Sequence, residues 1–202
     1  MLLVYQRVKN VRNFRLASKS AGTRKLADKP TRFHVENFPT GNYLLIPSVS
    51  SENRQYIPIG FMNPDDLASN LVFVVPNATL YHFGILTSSI HMTWLRTVGG
   101  RLKSDYRYSK DVVYNNFVWC EPSLAQRQTI EQSAQKILNV RANYPEATFA
   151  ELYDGVTMPY DLRIVHRNND RAVAQAYGFE NFLDDESVIA VEMLKLYYNL
   201  RI

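Results

Sequence analysis

Residues able to do covalent or metal chemistry are sparse in this chain and poorly spaced for it. The four histidines, His34, His82, His91 and His166, show no HxxxH, HxH or HExxH spacing, so each is expected to be a satisfied polar or core side chain rather than a metal ligand. The lone cysteine, Cys120, would need a histidine brought to it by the fold to act as a nucleophile, and a buried spectator is expected instead. There is no Gly-x-Ser-x-Gly elbow and no phosphate-cradling lysine loop, and the adjacent pair Gly99-Gly100 reads as a helix stop. Base amino-methylation needs an Asn-Pro-Pro-Tyr type of loop, and Asn63-Pro64-Asp65 and Met158-Pro159-Tyr160 each lack the second proline. Metal-dependent phosphodiester cleavage needs Pro-Asp followed by Asp/Glu-x-Lys, and nothing of that form follows Pro64-Asp65. The chain as it stands is expected to catalyse nothing by itself. What remains is Lys103-x-Asp105-x-Arg107. In an extended segment residues i and i+2 project to one side, so this spacing yields either a donor–acceptor set or an ordinary surface ion pair.

The elements around these residues fall into three regions. Apolar residues at helical spacing between basic ones over 2–18 predict an amphipathic entry helix. The polar, basic stretch Ser18 to Pro39 predicts an extended loop or short helical turns. From 42 to 117 the chain is β-rich, with strands expected at Tyr43–Ile46, Tyr56–Phe61, Leu71–Val75, Leu80–Ile85 and Val112–Tyr114. One helix interrupts them, capped at Ser88 or Ser89 and stopped at Gly99-Gly100. Three helices follow Glu121-Pro122: one to about Tyr144, one closing at Gly178, and one capped near Asp184. The expected architecture is α+β: a linker helix (1–19), a β-rich domain (20–120) and an all-helical domain (121–202).

Charge follows the same division. Residues 1–33 hold nine Lys and Arg against Asp28 alone, a net of +8, residues 34–120 are neutral, and 121–202 carry −4. A basic leading segment before an acidic tail suits a polyanion contact confined to one part of the molecule, or a solvated basic helix that touches nothing. With 202 residues, 46% apolar and 21% charged, the chain is expected to be globular rather than disordered. One cysteine excludes a disulfide framework, and no apolar run approaches the ~18 residues of a membrane span. A soluble protein of the reducing cytoplasm, with no membrane partner, is expected.

Long stretches of the sequence are similar to one family. Phe14-Arg15-Leu16-Ala17-Ser18-Lys19-Ser20-Ala21, Tyr56-Ile57-Pro58-Ile59-Gly60-Phe61, Pro76-Asn77-Ala78-Thr79-Leu80-Tyr81-His82-Phe83-Gly84 and Gly100-Arg101-Leu102-Lys103-Ser104-Asp105-Tyr106-Arg107-Tyr108-Ser109 closely resemble the target-recognition domain of MmeI-like (type IIL) DNA methyltransferases. Leu152-Tyr153-Asp154, Thr157-Met158-Pro159 and Asp170-Arg171-Ala172-Val173 resemble the helical C-terminal domain of the same family. The resemblance covers essentially the whole chain. It implies that the catalytic domains of a full-length member, which would use S-adenosylmethionine and Mg, are not in this stretch, and that no cofactor is held here. Met1 falls within what resembles the family's mid-protein helix. The chain departs from the family at Phe117-Val118-Trp119-Cys120-Glu121, where a Phe-Pro-Trp-Pro pattern is replaced, and a looser interdomain hinge is expected.

The resemblance implies sequence-specific recognition of double-stranded DNA on behalf of an adenine-N6 methyltransferase of a restriction–modification system. It assigns base reading to Lys103 and Asp105, as donor to guanine O6/N7 and acceptor from the paired cytosine N4 amino group, with Arg107 beside them. Ser48, Asn70 and Leu71 are further base-reading candidates on the same ground. Lys19, Arg24, Lys25 and Arg32, joined by Arg54 and Arg101, suit phosphates, which supply salt-dependent affinity without sequence information. Tyr106-Arg107-Tyr108 and Leu80–Phe83 are expected to pack rather than to stack on bases. Two other readings stand beside this one: a protein-interaction module whose basic helix docks a separate methyltransferase subunit, and a non-functional remnant.

Overall fold

A computed structural model describes residues 1–34, 36 and 39–200; Val35, Asn37 and Phe38, part of the predicted loop, lie outside the described residues. The chain divides into two compact units, Met1–Phe38 and Pro39–Ile202. The α+β class is as expected.

In the first unit, α1 (Leu2–Leu16) leads to α2 (Ala21–Lys25) and a 3₁₀ turn at Leu26–Asp28. The helix forms where expected, but not as an amphipathic one. None of its residues is buried, and Leu2, Leu3, Tyr5 and Phe14 are exposed around it. Its organiser is Arg15, whose guanidinium donates to the carbonyls of Leu26 (3.0 Å), Lys29 (2.7 Å) and Arg32 (2.6 Å) and so folds the following turns back onto the helix.

The second unit begins with β1 (Tyr43–Pro47), β2 (Val49–Ser50), β3 (Gly60–Met62) and β4 (Val72–Pro76). Next come α3 (Leu80–Leu86), α4 (Ser89–Val98), β5 (Gly100–Leu102) and β6 (Asp105–Arg107). The chain ends in α5 (Leu124–Arg141), α6 (Phe149–Leu152), α7 (Tyr160–Tyr177) and α8 (Glu186–Asn199). Two antiparallel sheets result, ordered β3-β1-β4 and β2-β6-β5. Ser48 is the switch between them. Its N–H donates to Leu71 O (2.9 Å), prolonging the β1–β4 ladder, and its carbonyl accepts from Tyr108 N–H (2.9 Å), beginning the next sheet.

Three expected strands are corrected. Leu80–Ile85 is helical: Asn77, at φ 56, turns the chain out of β4, and the Thr79 N–H donates to His82 Nδ1 (3.1 Å) to cap the new helix. Most of α3 is buried, which hides its period. Val112–Tyr114 lies in a π-helical turn (Lys110–Tyr114) opened by Ser109, whose hydroxyl accepts from Val112 N–H (3.3 Å). Of Tyr56–Phe61 only the end enters β3, because Tyr56 turns inward to hydrogen-bond across the core. Helix ends fare better: Ser88 caps α4, Gly99 ends it, and Gly178 closes α7 in the left-handed region at φ 72.

The core of this unit is continuous, and residues on both sides of position 120 share it, from Leu44 and Phe83 to Ile130, Leu162 and Met193. The connection at 117–121 is anchored, contrary to the loose hinge expected from the missing prolines. The Tyr177 hydroxyl donates to Val118 O (2.7 Å) and that of Tyr81 to Cys120 O (3.0 Å), while Trp119 packs among Tyr81, His82, Tyr114 and Phe117.

A row of buried polar groups on α7 locks the helices to the β-rich part. Asp170 accepts from the Tyr56 hydroxyl (2.6 Å) and from the Ser89 N–H (2.7 Å) at the start of α4. Asn169 donates to Gly84 O (2.8 Å) and accepts from Ser133 Oγ (2.8 Å). The His166 ring stacks on Tyr56, centroids 4.2 Å apart, and pairs with the Tyr153 hydroxyl at 2.8 Å. Buried Arg141 donates to Tyr153 Oη and to Ile59 O (2.6 Å). Gly84 lets α3 approach so closely that a Cβ there would stand 2.7 Å from Ile130 and 3.1 Å from Asn169 Oδ1. Gly84→Ala is therefore expected to destabilise the unit by about 1–3 kcal/mol, read as a lowered denaturation midpoint with an unchanged slope.

Burial pushes the Asp170 carboxyl up to about 6, while burial holds His91 down to about 3 and His166 well below its usual value. Between the unfolded and folded carboxyl values the native state holds the extra proton, so this group's contribution to stability falls as pH rises toward 6. The neutral buried histidines act oppositely, because the unfolded chain binds protons there and stability rises with pH. In Asp170→Asn only the histidine part remains. The stability gain from about pH 4.5 to about pH 6.5 is expected to exceed the parent's by about 2 kcal/mol in denaturant titrations.

Candidate nucleic-acid interface

The Lys103-x-Asp105-x-Arg107 residues lie on a hairpin. β5 and β6 pair as Gly100↔Arg107, Arg101↔Tyr106 and Leu102↔Asp105, leaving Lys103-Ser104 as a two-residue turn. Cross-strand partners share a face. Tyr106 and Arg101 therefore face one way, and Gly100, Leu102, Asp105 and Arg107 the other. Tyr106 is buried under Arg101, whose guanidinium carbon sits 4.1 Å from the ring centre and which also donates to Ser104 O (3.1 Å). The Tyr106 hydroxyl accepts from Arg96 Nε (3.1 Å), and Arg96 in turn pairs with Glu186 (3.1 Å). Next to it, buried Tyr108 shares a 3.0 Å hydrogen bond with His91, held neutral by burial.

The opposite face is open. Arg107 and Leu102 are exposed and Asp105 is half-buried. The shared-face expectation holds for Asp105 and Arg107 but not for Lys103. That residue occupies the first turn position with φ 57, so the pleat does not carry through it, and its ammonium group sits at the hairpin tip. Asp105 accepts from Glu52 N–H (3.3 Å), which ties the 51–54 loop to the hairpin.

The weaker candidates also meet here. Ser48 donates through its hydroxyl to Leu71 O (2.6 Å), so that proton is used within the fold, and Val49 beside it pairs with Arg107. Asn70 and Leu71 are exposed. Arg54 donates to Ser50 Oγ (3.4 Å), under the hairpin's neighbouring strand. The other phosphate candidates lie in the first unit. Arg24 donates to Ser18 O and Lys19 O (2.8 Å each), and Arg32 pairs with Glu36, holding that carboxyl below the ordinary range. Lys19 and Lys25 are exposed. Sequence reasoning missed the bracing roles of Arg15, Arg96 and Arg101, since a brace on a backbone carbonyl or a ring leaves no local pattern.

Among the described residues no three His, Cys, Asp or Glu side chains are grouped to hold a metal ion, and no helix is long and apolar enough to cross a membrane. Burial raises the Cys120 thiol, and its sulfur lies 3.4 Å from the Tyr81 hydroxyl.

Residues 1–121 match the family model "MmeI, target recognition domain", and residues 122–201 match "MmeI, C-terminal domain". The chain belongs to the MmeI family. It is similar to DNA methyltransferase A of Bacillus subtilis (strain 168), 41% identical over 198 residues, which are 98% of this chain and 22% of that protein. It is also similar to a solved structure of the type IIL restriction–modification enzyme MmeI in complex with DNA, with a TM-score of 0.91 and 43% identity over 98% of this chain and 26% of that one. The chain thus spans about a quarter of the length of these relatives.

The turn supplies its own test. A positive φ at the first turn position favours glycine and is costly for a branched side chain. Lys103→Gly is expected to retain or raise stability, by up to about 1 kcal/mol, and Lys103→Val to lower it by about 1–2 kcal/mol, both measured by thermal unfolding.

Proposed function

We propose that this chain reads double-stranded DNA in a sequence-specific manner, as the specificity portion of an S-adenosylmethionine-dependent adenine-N6 methyltransferase of a restriction–modification system in the cytoplasm. The observation that carries this reading is the hairpin of residues 100–107, braced from behind and open in front, with an acceptor, a guanidinium and a tip ammonium group on display. A two-stranded ribbon of this width enters the major groove. There Asp105 accepts from a cytosine N4 amino group and Lys103 donates to guanine O6/N7. The Glu52 bond engages Asp105 Oδ1, and the base amino group takes Oδ2. Arg107 reads a purine or holds a phosphate next to that pair. Ser48, Asn70 and Leu71 meet the DNA from the sheet junction. Lys19, Arg24, Lys25, Arg32, Arg54 and Arg101 make phosphate contacts that set register.

The partners in this reading are double-stranded DNA and a methyltransferase domain or subunit. S-adenosylmethionine and Mg belong to the remaining domains of a full-length enzyme.

Selection from a randomised duplex pool at two salt concentrations tests the reading. The parent chain is expected to enrich a short motif with a fixed G·C pair, and Asp105→Ala with Lys103→Gly to lose preference at that pair by roughly tenfold or more. Retention without any motif, vanishing steeply with salt, would leave phosphate contact alone and refute sequence-specific recognition by this chain.

A further inference from the structure

The hairpin's open face holds one side chain that hydrogen-bonding chemistry does not account for. Leu102 is 52% exposed and is not among the residues that pack on the core. It pairs directly across the ribbon with Asp105, so the two side chains leave the same face side by side. It also immediately precedes the left-handed Lys103, at the tip where the ribbon reaches furthest. Gly100, two residues back on the same face, adds no side chain, so Leu102 stands clear along its own strand. On this face Leu102 is an exposed apolar group set beside an acceptor, a tip ammonium and the exposed Arg107. In the major groove it has a matching partner. Thymine alone among the bases carries a C5-methyl there, and apolar side chains read it by contact.

We propose that Leu102 is a specificity-determining residue that packs on the C5-methyl of a thymine adjacent to the base pair read by Asp105. This rests on the DNA-recognition reading above and deepens it: the hairpin reads a two-base-pair step, one pair through hydrogen bonds and its neighbour through an apolar contact. The backing of the hairpin lies on the other face, in Tyr106 and Arg101, so Leu102→Ala leaves the fold's braces in place.

The test uses the chain and its own selected duplex, with each thymine of the enriched motif replaced in turn by uracil, which differs only by the missing methyl. In the parent, one replacement beside the G·C pair is expected to weaken binding about three- to fivefold, the worth of one buried methyl group. In Leu102→Ala the same replacement is expected to cost nothing, and the variant's selected motif to lose its thymine while keeping the G·C pair. An enriched motif with no thymine beside that pair, or a uracil effect equal in parent and variant, overturns the role of Leu102 and leaves DNA recognition standing. A parent pool with no motif at all overturns both. Circular dichroism and an unchanged salt slope of binding in Leu102→Ala separate a lost methyl contact from a damaged fold.

Discussion

One buried carboxylate sets the geometry on which the proposed reading surface depends. Asp170 sits on α7 among apolar neighbours, where an unpaired charge would be strongly unfavourable, and it is satisfied by the Tyr56 hydroxyl and by the first N–H of α4. The second bond is the consequential one. It fixes where α4 starts, and α4 carries His91, Trp94 and Arg96, which hold Tyr108, the Val113 carbonyl and Tyr106. The hairpin is thus placed from the helical part of the unit through a relay of hydrogen bonds, none of which is made by the residues that face outward. Moving α7 would move the hairpin.

The same relay explains why the helices and the β-rich part share one core. Two domains with separate cores would leave Asp170 with no partner and would strip Asn169 and His166 of part of theirs, since only Ser133 and Tyr153 lie within the helical part. Here each is met by an atom from the other half: Gly84 O, Ser89 N–H, or the Tyr56 ring. Satisfied networks of this kind specify one arrangement, because sliding α7 by a single turn would strand all three groups together.

Local signals in the sequence revealed much of the fold and little of this relay. Helix ends were legible where one residue does the work: Ser88 accepting an amide, Gly178 taking a left-handed φ. The paired strands at 43–47 and 72–76 were legible from their β-branched and aromatic runs. Leu80–Leu86 was not, because most of its residues are buried and a short stretch buried on most sides has little period to read. The bonds of Asp170 reach 81 and 114 residues along the chain, and no spacing rule detects such distances. At the interface, the open-face pair Asp105 and Arg107 followed from strand alternation, whereas Lys103 did not. A Lys-Ser turn lacks the glycine or asparagine that usually announces positive φ, so the break in the pleat was hidden.

Strand alternation also separates what holds the hairpin from what it displays. Tyr106 and Arg101 occupy the braced face and Leu102, Asp105 and Arg107 the open one, alternating along each strand on either side of the turn. A substitution on the open face alters a side chain with few neighbours, and its effect on stability should be small, as for other exposed positions. A substitution on the braced face changes the angle at which every outward group is presented. Chemistry on the open face is therefore free to vary while geometry stays constant, because the anchoring comes from α4, from α7 and from the pairing of β6 with β2 rather than from the hairpin's own turn. With a strained Lys103 at its tip and three paired residues per strand, the hairpin has too little structure of its own to keep that orientation. The orientation of its open face is set by attachment, to β2 along one edge and through α4 to Asp170 behind.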